Sequence, residues 1–420
     1  NTMSIELLYI LILVIPLLTA ISVLLFNQRP NVRESLTLIG GISLFIVVVK
    51  LALSYDFEQT VMLTLLEPFP GLSLALRLEP LGLIFTLVAG FLWPVTSLYA
   101  IGYMRAHHEK NQTRFYIAFA ISIFATMAIA LSANLLTLFL AYEMLTLFTL
   151  PLVTHAGTDA ARRAGWTYLG ILMTTSIGFL LLAIIWTWSL TDTLEFTPGG
   201  ILAGKAEPSI LGGLLLLFVF GTGKAALMPF HRWLPAAMVA PTPVSALLHA
   251  VAVVKAGVFT IMKVSVYIFG IDLIGSLDSA YWLSLLAGFT IVSASIIAMT
   301  KDNLKARLAY STISQLSYII LAAMLGVATG VFAGSLHIAM HAFAKITLFF
   351  CAGAILVSAH KTCVSELNGI GRAMPFTMLA FLLASLSIVG LPPLGGSWSK
   401  WLLLQATMDA HSTVLLLVLL

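Results

Sequence analysis

Apolar runs of about 20 residues, the length that crosses a bilayer as one helix, recur along the whole chain with short polar segments between them. No polar stretch is long enough for a separate soluble domain, so the pattern predicts an all-α, polytopic membrane helix bundle that forms one membrane domain over residues 1–420. The predicted spans are 5–26, 36–55, 79–103, 115–132, 134–154, 165–188, 209–229 continuing brokenly to 240, 243–269, 281–299, 304–325, 331–358 and 375–408. A thirteenth span would begin near His411.

Two of these spans are interrupted. The seventh places Lys224 within an apolar run and then breaks at Pro229, whereas the twelfth breaks at Pro392-Pro393 and carries Lys400 after the break. Prolines free backbone groups, which mid-membrane structure tolerates only where protein or a watery cavity satisfies them. We therefore expect discontinuous helices 7 and 12, a feature of transporters. The second motif lies five spans after the first, and because five is odd the two would have opposite orientations, which fits inverted repeats.

Composition excludes several classes of protein. The chain is 60% hydrophobic and 9% charged, with a mean hydropathy of +1.05, which excludes a soluble domain. The first apolar run lacks a basic flank and a cleavage site, which indicates a retained helix and not a signal peptide. Cys351 and Cys363 are the only cysteines, too few for a disulfide scaffold or an iron-sulfur site. Leu420 ends within an apolar run, so we expect the chain to be part of a longer protein.

Basic residues collect in alternate connections between the spans, as they do on the cytoplasmic side of membrane proteins. The other connections hold only Arg77 and Lys205 and carry most of the acids. This alternation predicts an N-terminus outside the cell membrane and cytoplasmic odd-numbered loops. The basic set comprises Arg29, Arg33, Arg105, Lys110, Arg114, Arg162, Arg163, Arg232, Lys301, Lys305, Arg307, Lys361 and Arg372.

Six lysines fall within the spans. Lys50 and Lys263 lie near span ends, where a long side chain can reach the headgroups, and we predict that both do so. The other four, nearer mid-span, are Lys224, Lys255, Lys345 and Lys400. Ionisable groups at that depth are costly and mark ion paths. Glu143 is the only acid at similar depth, and we predict that it forms an ion pair with Lys224.

The eleventh span aligns titratable side chains. His337, His341 and Lys345 are spaced at i, i+4 and i+8, which places them on one stripe of a helix, and His249 is the other mid-span histidine. A metal site, a structural hydrogen-bonded pair and a proton relay remain open; we favour the relay, because no carboxylate accompanies the histidines. No metal or cofactor is expected.

Hydroxyl side chains are dense at the same depth. We interpret them as helix-packing residues, and we assign no role to Gln315 or Tyr318. The set is Thr146, Thr149, Ser245, Ser311, Thr312 and Ser314.

Proton movement needs groups that can release protons at ambient pH. Lysine can do so and arginine cannot, and every mid-span basic residue is a lysine. A Glu143–Lys224 pair that opens and closes would therefore act as a proton valve.

Four segments closely resemble the antiporter-like subunits shared by respiratory complex I, membrane-bound hydrogenases and Mrp-type cation/proton antiporters. They are GTGKAALMPFHRWLPAAMVAPTPVSALLHAVAVVKAGVF, YEMLTLFTLPLVTH, HAFAKITLFF and LPPLGGSWSKW. YEMLTLFTLPLVTHAGT and GGSWSKWLLLQA are most similar to the Mrp D-type subunit.

The resemblance implies a fold and a path. It implies two inverted five-helix repeats, with helices 1–3 at 1–110, helices 4–8 at 111–270 and helices 9–13 at 280–420. It also implies a hydrated polar axis along the membrane plane. The motif positions correspond to Glu143, Lys224, Lys255 and Lys400, with His249, His337, His341 and Lys345 along the axis.

The first functional hypothesis is a proton-conducting subunit of a multisubunit ion pump or antiporter. Such a translocase subunit would have no bond chemistry of its own, although its complex could be redox-driven. Its expected partners are membrane subunits on both lateral faces, protons, the lipid bilayer and, as an open question, Na+; no nucleic acid is expected. The alternatives are a stand-alone secondary transporter and, less favoured, a quinone- or haem-binding oxidoreductase subunit. The expected location is the cell (inner) membrane.

Overall fold

The chain folds into an all-α, polytopic helix bundle in a computed structural model that describes residues 3–420, and this confirms the predicted fold class. Within that part of the chain, nine helical stretches are long and apolar enough to cross a membrane. The helices are α1 (Ile5–Leu25), α2 (Pro30–Leu53), α3 (Pro80–Ala106), α4 (Gln112–Ala130), α5 (Leu135–Val153), α6 (Asp159–Thr175), α7 (Leu181–Thr191), α8 (Pro208–Gly221), α9 (Trp233–Ala236), α10 (Thr242–Ala246), α11 (Val253–Lys263), α12 (Ile271–Ser276), α13 (Asp278–Thr300), α14 (Leu304–Met324), α15 (Ala328–Ala359), α16 (Ile370–Ala373), α17 (Pro375–Val389), α18 (Gly395–Asp409) and α19 (Thr413–Leu419).

A buried helical stretch lies at the centre of the bundle. It runs over Thr242–Phe269 and consists of α10, a π-helical turn at Leu247–Val251, α11 and a second π-helical segment at Val264–Phe269. Its 18-residue apolar window is entirely buried, whereas the other membrane-length helices keep part of their surface exposed. Side chains of this stretch therefore contact protein on every side. His249 lies in the first π-helical turn, and such turns are frequent at functional sites.

The predicted break of the seventh span is present. Helix α8 ends at Gly221, a 3-10 turn follows at Gly223–Ala225, and the chain becomes helical again at Trp233. Protein groups satisfy the freed backbone: Lys224 N–H donates to the Tyr142 hydroxyl at 3.2 Å, and Trp233 Nε1 donates to the Gly223 carbonyl at 2.9 Å. A break at membrane depth requires such partners.

The predicted break of the twelfth span is also present. Helix α17 ends at Val389 and α18 begins at Gly395. The Gly396 N–H, in the first turn of α18, donates to the Ser387 hydroxyl at 3.2 Å. The backbone carbonyl of Ser387 occupies the place of a side chain at Gly396, so only glycine allows this approach. Helices 7 and 12 of the predicted scheme are therefore discontinuous, while the division into two repeats stays a prediction.

A β-hairpin lies between α2 and α3, where the sequence pattern predicts only a connection. Strands β1 (Met62–Phe69) and β2 (Leu72–Arg77) pair antiparallel, with Met62 opposite Arg77. Gly71 supplies the positive φ of +82° that the tight turn requires. The Asn134 amide donates to the Ser73 carbonyl at 2.7 Å, which fixes the hairpin to the start of α5.

Candidate functional site

Lys224 lies fully buried in the 3-10 turn at the first break. Its ammonium donates to the Tyr142 carbonyl at 2.9 Å and to the Thr146 hydroxyl at 2.5 Å. The same nitrogen is 3.5 Å from the centroid of the Tyr142 ring, which adds a cation–π contact. Lys224, Tyr142 and Thr146 are called the Lys224 site below.

The predicted ion pair between Glu143 and Lys224 is not formed, so that prediction was wrong for the structure described here. Lys224 instead donates to two uncharged oxygens of α5. Both carboxyl oxygens of Glu143 are buried and have no hydrogen-bond partner among residues 3–420. The physical reason is the helical period: Tyr142 and Thr146 are four residues apart and face the turn together, whereas Glu143 is rotated by about 100° from Tyr142.

The second group of titratable residues surrounds Lys255, on α11. The Lys255 ammonium lies 2.5 Å from His341 Nδ1, and the rings of His341 and His337 are 5.9 Å apart between centroids. His337 contacts the Ser399 hydroxyl through Nδ1 at 2.8 Å and the Gln315 side-chain oxygen through Nε2 at 3.1 Å. These five residues, called the Lys255 cluster, link the central stretch to α14, α15 and α18.

Two further candidates contact neighbouring positions of α14. His249 Nδ1 lies 2.8 Å from the Thr312 hydroxyl, and the Lys345 ammonium donates to the Ser311 hydroxyl at 2.9 Å. Lys345 and His249 are both fully buried. Ser311 and Thr312 are consecutive, so both basic groups contact the same turn of α14 in the bundle interior.

Lys400 lies in α18, directly after Ser399 of the Lys255 cluster. Its ammonium donates to the Ile388 carbonyl at 2.5 Å and to the Val389 carbonyl at 3.4 Å, and it lies 4.9 Å from the Tyr318 ring centroid. The last carbonyls of a helix lack intrahelical partners. Lys400 therefore stabilises the end of α17 at the second break.

The predicted residues form neighbouring groups and not one unbroken hydrogen-bonded row. No direct hydrogen bond joins Lys224 to His249 or Lys255 within residues 3–420, and none joins Lys345 to His341. The backbone of α11 nevertheless contacts the turn that holds Lys224, because a Cβ atom at Gly257 would overlap backbone atoms of Lys224 and Ala225. In addition, His249 Nε2 and His341 Nε2 are buried and have no hydrogen-bond partner in the described chain.

Lys263 does not extend to the headgroups, so that prediction was wrong. Its side chain is fully buried and forms an ion pair with Glu79, at the start of α3. The ammonium also lies 4.2 Å from the Phe196 ring centroid. Glu79 in turn pairs with Arg77 at 3.2 Å. Lys50, by contrast, is exposed near the end of α2, and its contact with the headgroups stays a prediction.

Uncharged polar residues contact the buried basic groups more often than their pattern in the sequence predicts. Thr146, Ser311 and Thr312, predicted to be helix-packing residues, each contact a buried lysine or histidine. Gln315 and Tyr318, which had no assigned role, contact His337 and Lys400. Their depth beside the lysines was visible in the sequence, but which face of the helix they occupy relative to other helices was not.

A group of three or more His, Cys, Asp or Glu side chains that could hold a metal ion does not occur within residues 3–420. The lining of the candidate site is instead composed of lysines, neutral hydroxyls and paired histidines. Such groups can pass protons along hydrogen bonds.

The comparisons with known proteins agree on one family. The family model described as NADH:quinone oxidoreductase/Mrp antiporter, TM matches residues 132–420. NADH-quinone oxidoreductase subunit L of Campylobacter jejuni is 30% identical over 85% of this chain and 59% of its own length. The putative antiporter subunit mnhA2 of Staphylococcus haemolyticus is 30% identical over 82% of this chain and 44% of its own. The chain spans about half the length of the curated relatives it matches.

A solved structure has the same fold. The Mrp complex from Dietzia sp. superposes on 97% of this chain and 44% of the compared chain, with a TM-score of 0.84 and 28% sequence identity.

Proposed function

Because the chain belongs to the NADH:quinone oxidoreductase/Mrp antiporter transmembrane family, we propose that it is a proton-conducting subunit of a multisubunit, ion-translocating membrane complex. Protons would move through the buried lysines and histidines, with Glu143 and Lys224 in the first half and Lys345 and Lys400 in the second. Other membrane subunits would contact the lateral faces, as the names of the relatives suggest for their own complexes.

The contact between Lys255 and His341 carries the proposal. Two protonated groups 2.5 Å apart would repel each other strongly at a buried position. The pair is therefore best described as one protonated and one neutral base that share a proton, which is the arrangement that allows transfer. His341 Nε2 has no protein partner in the described chain, and a buried polar nitrogen normally has one. This supports a water molecule as the next carrier.

The Glu143–Lys224 valve is retained as part of the proposal. Their side chains are separated here, with Lys224 directed to Tyr142 and Thr146. The valve requires a second arrangement in which the ammonium leaves these oxygens for the carboxylate. Both carboxyl oxygens of Glu143 lack partners among residues 3–420, so that arrangement would satisfy a group that is now unpaired.

Two variants test the function. Lys255→Met removes the titratable group but keeps the length and the packing of the side chain, whereas Lys50→Met makes the same change at an exposed lysine of α2. Proton transport is measured in vesicles that contain the purified complex, together with its subunit composition. We expect loss of at least nine-tenths of the transport for Lys255→Met and little change for Lys50→Met. Normal transport by an assembled Lys255→Met complex would refute the proposal.

Finer assignments also belong to the proposal. The N-terminus would lie outside a cell inner membrane, because basic residues occupy the alternate connections. The similarity of the motifs to the Mrp D-type subunit stays a prediction. The two relatives described above carry other subunit names, subunit L and mnhA2. Whether Na+ moves is decided by measuring proton transport with and without Na+ on the opposite side of the vesicle membrane.

A further inference from the structure

His337 lies buried on α15 between two oxygen atoms that come from different helices. Its Nε2 is 3.1 Å from the side-chain oxygen of Gln315, on α14, and its Nδ1 is 2.8 Å from the hydroxyl of Ser399, on α18. All three residues are at most 6% exposed. Buried polar groups depend on their protein partners, so these two contacts decide where His337 holds a proton.

The contact with Gln315 fixes which nitrogen of the neutral ring carries the hydrogen. An amide oxygen can only accept a hydrogen bond, so Nε2 must donate to it. A neutral imidazole has a single N–H group, and Nδ1 is therefore a bare acceptor that faces Ser399. The Ser399 hydroxyl donates to Nδ1 while His337 is neutral, and Nδ1 is the ring atom that can take up a further proton.

The groups around His337 favour the neutral ring at rest. Lys400 of α18 and Lys255 of α11 both act on it as positive neighbours, and Lys255 contacts His341, whose ring is 5.9 Å from that of His337 between centroids. Tyr318 of α14 lies 5.8 Å away, measured in the same way. No carboxylate acts on the ring from residues 3–420. Positive neighbours without an acid oppose a second charge, so the protonated ring needs help from its hydrogen-bond partners.

A proton on Nδ1 changes what the hydroxyl of Ser399 must do. Both ring nitrogens are then donors, so the serine oxygen has to accept and its hydrogen has to point elsewhere. The Gly396 carbonyl, one turn earlier on α18, lies 3.2 Å from the same hydroxyl and can accept this hydrogen. The hydroxyl thus has two acceptors within reach, and each of them suits one charge state of His337.

This change of partner extends to the second break. The N–H of Gly396 donates to the hydroxyl of Ser387 at 3.2 Å, and Ser387 lies in the last turn of α17. The hydroxyl of Ser399 therefore connects the charge of His337 to the first turn of α18, directly before Lys400.

We propose that Gln315 and Ser399 are positioning residues for proton transfer. Gln315 holds His337 so that Nδ1 takes up the proton, and the Ser399 hydroxyl turns from Nδ1 to the Gly396 carbonyl when that proton arrives. The proton enters and leaves at Nδ1, exchanged with the neighbouring bases of the path, so neither positioning residue changes its own protonation state. These roles rest on the proposed function, because they matter only if His337 carries protons.

Two substitutions should move the pH dependence of transport in opposite directions. Ser399→Ala removes an acceptor from the protonated ring, so transport should decline at a pH about one unit lower than in the parent complex. Gln315→Glu keeps an acceptor and adds a negative charge, so transport should persist to about one unit higher. The rates are measured over a series of pH values in vesicles with the purified complex, at a constant pH difference across the membrane, together with subunit composition and unfolding temperature.

Further variants separate positioning from packing. Ser399→Thr keeps the hydroxyl and should keep the parent profile, whereas Gln315→Leu cannot accept and should slow transport roughly tenfold. Ser397→Ala is the matched control, because it removes a hydroxyl of the same helix that donates to the Leu394 carbonyl at 2.6 Å, and its profile should equal that of the parent. A role in packing alone would lower the unfolding temperature without moving the profile.

Unchanged profiles for assembled Ser399→Ala and Gln315→Glu complexes, or shifts in the same direction, would overturn the positioning roles. If Ser399→Ala does not assemble, the profile of Gln315→Glu decides alone. Lys255→Met is measured alongside them. Normal transport by Lys255→Met would refute the proposed function itself, whereas an inactive Lys255→Met beside two unshifted profiles would leave that function standing and remove only the roles of Gln315 and Ser399.

Discussion

The ammonium of Lys224 lies among oxygen atoms and an aromatic face that stabilise its charge without a carboxylate. Thr146 contributes one hydrogen bond at 2.5 Å, and the Tyr142 carbonyl contributes the other at 2.9 Å. A backbone carbonyl cannot be removed by substitution, but the threonine hydroxyl can. Thr146 therefore offers a way to change the surroundings of the lysine while the lysine itself stays in place.

Lys224→Ala should abolish transport and leave the complex assembled, because it removes the titratable group. Thr146→Val should slow transport roughly ten- to hundredfold, since a hydrogen bond to a charged group contributes about 1.5–3 kcal/mol. Thr146→Ser keeps the hydroxyl and should retain most of the rate. The rates are measured in vesicles with the purified complex, and Thr167→Val, at an exposed position of α6, is the control. An unchanged rate for Thr146→Val would show that the hydroxyl only packs.

Proton transport should require the negative charge of Glu143, even though this residue is not paired with Lys224 here. Glu143→Gln keeps the size of the side chain and removes the charge, so it should impair transport more than Glu143→Asp, which keeps the charge. Both carboxyl oxygens are buried without partners in the described chain, so neither substitution breaks an existing hydrogen bond. If the two variants transport protons equally well in vesicles, the charge has no role.

Among the elements, α11 connects the two halves of the candidate site. Gly257 brings this helix against the turn that holds Lys224, and Lys255, two residues earlier, contacts His341. A movement of the turn at the first break would therefore be transmitted to α11 by direct contact.

Gly257→Ala should disturb this contact. The new methyl group would overlap backbone atoms of Lys224 and Ala225, and overpacking costs about 1–3 kcal/mol. We expect a lower unfolding temperature and slower transport by the purified complex. Gly170→Ala, on α6, introduces the same methyl group into open space and is the matched control. Equal effects of the two substitutions would contradict the contact.

The buried ion pair of Lys263 and Glu79 fastens the end of α11 to the start of α3. Lys263→Met should destabilise the protein by roughly 1.5–3 kcal/mol, because the buried Glu79 carboxylate loses one charged donor and keeps only its ion pair with Arg77. Lys263→Met combined with Glu79→Gln should regain part of that loss, since neither charge then remains. Thermal unfolding of the purified complex measures both variants. A double variant no more stable than Lys263→Met alone would argue against the pair.

Helix positions could be predicted because apolar length and proline placement are local properties of the chain. The breaks after Gly221 and Val389 could be predicted because proline, glycine and lysine occur there within a few residues of each other. The hairpin was missed because β1 is largely exposed, so its apolar and polar residues do not alternate clearly. Lys263 was misjudged because its partner Glu79 lies 184 residues away along the chain. Contacts at such separations depend on how helices pack, which no local pattern records.

For the whole molecule, the proposed proton transport would follow either one path or two, and substitutions distinguish the two cases. The Lys224 site and the Lys255 cluster are separate hydrogen-bonded groups, and Lys400 follows the cluster at the second break. Along a single serial path, loss of any one member stops transport. If each half conducts independently, loss of Lys400 would leave the first half active.

Lys400 has a structural contact as well as a proposed role in transport, and the two can be separated. Its ammonium donates to the carbonyls of Ile388 and Val389, so Lys400→Leu would remove a helix cap together with a titratable group. Lys400→Gln keeps a donor for these carbonyls but cannot release a proton. We therefore expect Lys400→Gln to retain the unfolding temperature of the parent complex and to lose transport, and Lys400→Leu to lose both.

Lys400→Glu completes this series, because a carboxyl group can accept and release protons and can donate to a carbonyl when it is protonated. It should retain partial transport, measured in the same vesicles as Lys400→Gln and Lys400→Leu. Normal transport by Lys400→Gln would limit Lys400 to its contact with the end of α17. Normal transport by all three variants, together with an inactive Lys224→Ala, would show that the first half conducts alone and that the single path is wrong.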